Sequence, residues 1–174
     1  MTRNRSPEHS SGARPCRPVP MREFSRSLPM ALLRAREAVM RQFRPSLRAH
    51  GLTEQQWRIL RALAAVEASE VTELARTAFL LAPSLSRMLR DLEARRLIER
   101  KTAKADLRRG LVSISEKGLK LMETVAPSSE AIYAAITTRY GMRKLIALQD
   151  MLKELEQSLS DLEAGGDRAV SGRE

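Results

Sequence analysis

Apolar residues along this chain recur mainly at steps of three and four, the spacing that puts side chains on one face of a helix. Leu28, Leu32, Ala35, Val39, Phe43 and Leu47 form a first such stripe, and His50-Gly51 supplies a glycine stop. Thr53-Glu-Gln-Gln56 resembles a capping box, after which Trp57, Leu60, Leu63 and Ala64 give a second helix its apolar side. A polar connection at 67–70 leads to a short helix over 71–78, a turn, and a further helix over 82–97. Pro83 suits the first turn of that helix, because it removes an N–H that would go unpaired there. Leu85, Met88, Leu89 and Leu92 share one stripe of it, while Ser84, Arg87, Arg90 and Asp91 fall largely on the other. Taken alone, this is also the pattern of an ordinary amphipathic surface helix.

Beyond the helix the periodicity changes. Residues 98–102 and 111–115 each predict a short strand, the second alternating Val112 and Ile114 with Ser113 and Ser115. A polar tip between them carries Lys104, Asp106, Arg108 and Arg109, with Gly110 to permit a turn or bulge. Ser115-Glu-Lys-Gly118 opens a long helical stretch through Leu119, Met122, Val125, Ile132 and Ile136, which Pro127 is expected to bend or break. Leu145, Leu148, Leu152, Leu155, Leu159 and Leu162 then alternate steps of three and four. Such a seam is too short for a free coiled coil and suits dimerisation, with intramolecular packing as the alternative.

Charge adds a functional direction. Between 82 and 109 lie nine cations (Arg87, Arg90, Arg95, Arg96, Arg100, Lys101, Lys104, Arg108, Arg109) and four acids (Asp91, Glu93, Glu99, Asp106). The difference, +5, is half of the +10 carried by all 174 residues. Concentration on one helix and one hairpin is an electrostatic footprint for phosphates. Ser84, Ser86, Arg87 and Arg90 are the candidates for a major groove, with Lys104, Arg108 and Arg109 on the flanking backbone and minor groove. Asp106 is expected to pair with Arg108 or Arg109 and hold the tip, or else to be a stray loop acid.

Composition excludes other classes. Aromatics are 3% and good helix formers abound, so a mainly α fold with a small β-wing is expected. No run approaches the roughly 18 uncharged apolar residues of a membrane span, nor is there an apolar signal core, so a cytoplasmic protein is expected. With Cys16 the sole cysteine, no intrachain disulfide can form; a redox role for it is the lesser reading. His9, His50 and Cys16 are too few for a zinc site, and no glycine loop or nucleophile–base pair stands out. Metal, cofactor and catalytic residues are accordingly expected to be none. Residues 1–22 read as a disordered basic arm, unless translation starts at Met21, and 163–174 as a flexible tail. The intervening 23–162 would comprise dimerisation helices at 28–50 and 116–162 around a winged helix-turn-helix at 53–115.

Several motifs carry a resemblance. Gly51-Leu-Thr-Glu-Gln-Gln-Trp57, Thr72-Glu-Leu-Ala75, Pro83-Ser-Leu-Ser-Arg87, Leu92-Glu-x-x-x-Leu-Ile-x-Arg100, Asp106-Leu-Arg108 and Ser115-Glu-Lys-Gly118 together resemble the MarR family of winged-helix regulators, over about 25–162. Arg96 stands where that family usually has glycine, so the turn after the reading helix should be strained or built differently. Residues 27–37 and 49–57 look like the branch that represses aromatic-acid catabolism, the homoprotocatechuate and hydroxyphenylacetate regulators. The resemblance implies a homodimeric repressor of an aromatic-acid operon, binding double-stranded DNA at a pseudo-palindrome and released by an aromatic acid. Two-fold symmetry would space its reading helices roughly 34 Å apart. The ligand candidates it implies are Arg34, Arg36, His50, Trp57 and Arg58, with Met30 and Leu33 as further apolar wall. Against these stand plainer roles: Trp57 as a core anchor, His50 as a helix-end residue, either of Arg34 and Arg36 as a subunit bridge. The competing function is an architectural DNA binder without an effector.

Overall fold

The computed structural model describes residues 23–103 and 106–170. The expected basic arm, the Met21 start, His9, Cys16 and Lys104 lie outside the described residues. The chain divides into two compact units, Met1–Glu37 and Ala38–Glu174. The described part of the first is a 3-10 turn at Phe24–Arg26, tied by the Ser27 hydroxyl donating to the Phe24 carbonyl at 3.0 Å, and the start of helix α1 (Leu28–Ala49).

The second unit holds the rest of α1, then α2 (Glu54–Ala64), β1 (Ser69–Glu70), α3 (Val71–Thr77), α4 (Ala82–Ala94), β2 (Ile98–Ala103), β3 (Asp106–Ile114), α5 (Glu116–Tyr140) and α6 (Met142–Val170). Ile59, Leu60 and Leu63 of α2, Leu74 of α3 and Leu85, Leu89 and Leu92 of α4 are buried together with Leu97, Ile98, Val112 and Val125. Burial of each such side chain stabilises the fold by about 1.5–3 kcal/mol. The stripe expected on α4 is therefore the core face, with Met88 at its margin. On α2 the pattern needs correction: Ala64 is exposed and Trp57 half-buried, while Ile59 and the capping Gln56 turn inward. A step of four back from Leu60 reaches Gln56 and from Leu63 reaches Ile59, and the Gln56 amide is buried because it has hydrogen-bond partners.

Three helices stop in the same way. At the ends of α1, α3 and α4 a residue enters the left-handed region: Gly51 at φ 66°, Phe79 at φ 50° and Arg96 at φ 60°. Their N–H groups bond to the carbonyls of Arg48, Arg76 and Glu93. The next residues, Leu52, Leu80 and Leu97, bond back to Leu47, Ala75 and Leu92. This is the Schellman arrangement, in which an apolar residue after the turn packs onto the last helical turn. The glycine stop at Gly51 is as expected, and the departure at Arg96 is taken up as backbone strain.

The sheet is antiparallel with order β1-β3-β2. Ser69 and Glu70, read as plain connection, pair with Val112 and Leu111. Two residues are too short to leave a period in the sequence. The β2–β3 arms run into the expected tip, because ladder bonds are made by main chain whatever the side chain. The register shifts beside Thr102, the residue opposite Gly110.

Pro127 does not break α5, which continues to Tyr140. One i→i−4 bond is lost, but Val125 and Ser129 on either side are buried and hold the helix. The Ser128 hydroxyl donates to the Val125 carbonyl at 2.8 Å and accepts from Ser46, after Pro45 of α1, at 2.6 Å. The stop comes instead at Gly141, φ 96°. Helix α6 passes the predicted Leu162 boundary and reaches Val170, since each residue added to an existing helix needs no new nucleus.

Candidate nucleic-acid interface

Helix α4 is held at its C-terminal end, which leaves one face open. In its last turn, Asp91 Oδ2 accepts from the Gln56 amide at 2.6 Å, while the Gln56 oxygen accepts the Thr53 N–H at 2.9 Å as half of the capping box. At its C-terminus the Ser115 hydroxyl donates to the Arg96 carbonyl at 2.7 Å and Lys117 Nζ to the Arg95 carbonyl at 2.9 Å. These satisfy carbonyls that a helix end leaves orphaned. Arg95 itself donates to the Gly51 carbonyl at 2.9 Å and lies 3.6 Å from Asp91. Gly118 lets α5 approach this corner: a Cβ there would overlap the carbonyl oxygen of Leu97. Thus the Ser115-Glu-Lys-Gly118 motif is the socket in which the end of α4 sits.

With Asp91 and Arg95 committed to structure, and Arg100 3.8 Å from Glu93, the cations open to solvent on α4 are Arg87 and Arg90. Ser84, Ser86, Arg87 and Arg90 are all exposed. Ser84 and Arg87 border a shallow depression of about 650 Å³ shared with Gln55, Phe79 and Leu81. For Asp106, Arg108 and Arg109 only the backbone on β3 is described, so the expected Asp106 pairing lies outside the described side chains.

The five ligand candidates separate. Arg58 donates to the Ala78 carbonyl at 2.9 Å and sits 3.8 Å from Glu54, which also accepts from Arg44 at 3.0 and 3.1 Å. It ties α2 to the end of α3. His50 Nδ1 donates to the Ser46 carbonyl at 2.8 Å, the helix-end role. Arg34 and Arg36 are exposed on the first unit, Arg36 pairing with Glu37 at 2.9 Å. Trp57 lines a cleft, about 320 Å³ between α2 and α5, together with Arg61, Met122, Glu123, Ala126, Ser129 and Glu130. Arg61, one helical turn after Trp57, lines this cleft without having been among the sequence candidates.

Of the leucine seam, Leu145, Leu148 and Leu155 are half-buried, whereas Leu152 and Leu159 are 40% and 49% exposed; Leu162 is described by backbone alone. Tyr133, Tyr140, Met142, Ile146 and Met151 are exposed as well. No helix among the described residues is long and apolar enough to cross a membrane.

A short helix, a turn, an open-faced helix and an antiparallel wing define a winged helix-turn-helix, the architecture of DNA-binding transcription regulators. The MarR family pattern matches residues 50–109. The HTH-type transcriptional regulator FarR of Neisseria gonorrhoeae is 37% identical over 79% of this chain and 94% of its own. The homoprotocatechuate degradative operon repressor of Escherichia coli is 38% identical over 74% of this chain and 86% of its own. Among solved structures, NadR in complex with 4-hydroxyphenylacetate superposes with TM-score 0.72 at 36% identity, over 78% of this chain and 99% of that one. The chain belongs to the MarR family. It is a DNA-binding transcription regulator and not an enzyme.

Proposed function

We propose that this protein is a cytoplasmic, dimeric repressor of an aromatic-acid catabolic operon, released from a pseudo-palindromic operator by a phenolic acid. Residues 53–115 form the reading lobe, and 28–50 with 116–162 join the subunits. Ser84, Ser86, Arg87 and Arg90 read the major groove, and Lys104, Arg108 and Arg109 grip the flanking backbone and minor groove.

The observation that carries the reading is that one helix, α2, both holds α4 and lines the cleft on α5. Gln56 holds Asp91 of the reading helix and Arg58 holds the end of α3, while Trp57 and Arg61 line the cleft on α5. A ligand that moves α2 against α5 therefore biases the reading helix, provided it binds the two arrangements unequally. The cleft chemistry fits a hydroxylated aromatic acid. Arg61 offers a guanidinium to the carboxylate, Trp57 and Met122 an apolar wall, and Glu123 or Glu130 an acceptor for a phenolic hydroxyl. The names of the homoprotocatechuate repressor and the 4-hydroxyphenylacetate complex support this class of effector.

Trp57 is the sole tryptophan, so its fluorescence reports on the cleft. Titration with 4-hydroxyphenylacetate should change that emission and weaken binding to the intergenic DNA beside the gene. Arg61→Ala should weaken the acid about tenfold or more, the loss of one charge-assisted pair. Unchanged DNA binding with every acid of a hydroxylated aromatic panel would favour the architectural reading.

A further inference from the structure

Helices α1 and α3 end in the same hydrogen-bonded motif, yet its left-handed position is Gly51 in one and Phe79 in the other. At φ 50° a phenylalanine carries a steric penalty that glycine escapes. Its ring is also 76% exposed, and Leu81, two residues on, is 78% exposed. Only Leu80 between them packs on the core. The fold gains nothing from two large apolar side chains in water at a strained turn. Both border the same depression as Ser84 and Arg87, directly ahead of the reading helix.

We infer that Phe79 and Leu81 form an apolar reading element that takes up thymine 5-methyl groups beside the contacts made by Ser84 and Arg87. This rests on α4 being the major-groove helix. Duplex DNA is the occupant that the charge selects, because Arg87 beside the apolar pair, and Arg90 exposed one turn further along α4, attract phosphates. The thymine methyl is the apolar group that base edges show in the major groove.

The chain can select its own duplex from a random library. That duplex is then compared with a copy carrying deoxyuridine for thymidine, which removes the methyls alone. Phe79→Asn and Leu81→Ser suit the test because asparagine tolerates the left-handed region and serine is a favoured N-cap. Both should fold, as a thermal melt verifies. The wild-type chain should lose about fourfold in affinity per buried methyl on the deoxyuridine copy. The variants should bind the thymidine duplex that weakly from the outset and lose nothing more without methyls. Variants that keep wild-type affinity and methyl dependence overturn the inference while leaving DNA reading intact. Variants that alter subunit pairing with unchanged DNA affinity overturn it too, by assigning the two side chains to a protein contact. A chain that selects no duplex removes the inference together with the reading of α4 beneath it.

Discussion

Single residues at helix ends carry much of this protein's design. Arg96 closes α4 in the left-handed region, where side chains are strained. Its carbonyl still accepts from Ser115, so the turn is retained by what surrounds it. Arg96→Gly should relieve about 1 kcal/mol of strain, less the entropy that glycine adds to the unfolded chain. A urea midpoint shifted to higher denaturant at unchanged slope is the expected outcome; an unshifted or lower midpoint would mean that Arg96 sits there without strain. The family resemblance exposed this position, because Arg96 stands where that family usually has glycine. It did not expose Phe79, where nothing in the local pattern asks for glycine.

At the scale of elements, the α2–α4 bond is the one through which the proposed reading face of α4 would be aimed. Gln56 is buried and donates to Asp91 at 2.6 Å, so Asp91→Ala leaves its amide without that acceptor. The expected loss is about 1 kcal/mol of stability by denaturant melt, with a larger fall in DNA affinity in a binding titration. Equal DNA affinity would show that α4 keeps its aim without this bond. The helices, the capping box at Thr53 and the wing were legible because caps and periodicity are local. Strand β1 and the persistence of α5 through Pro127 were not. The first depends on a partner strand far along the chain, and the second on buried neighbours that hold a helix across one missing bond.

For the whole molecule, the described chain leaves a long apolar surface on α5 and α6, including Tyr133, Tyr140, Ile146, Leu152 and Leu159. Apolar side chains exposed along α5 and α6 are the ones that the proposed dimer would cover. Leu152→Glu, placed where the side chain is already 40% exposed, should fold as a monomer and shift sedimentation towards half the mass. DNA affinity should fall with it, since two half-sites are then bound separately. A Leu152→Glu chain that sediments like the wild type would take the seam out of the interface.

The order of the helices, the wing and the open face of α4 were within reach of the sequence, because periodicity, capping and clustered charge all act between residues close along the chain; the family was within reach through the resemblance of its motifs. Which arginines remain available was decided only in three dimensions. Arg58 is spent on a carbonyl 20 residues away and Arg95 on one 44 residues away, while Arg61 comes to line the cleft with Trp57. A guanidinium looks the same in every sequence, and its role depends on the acceptor that folding brings to it.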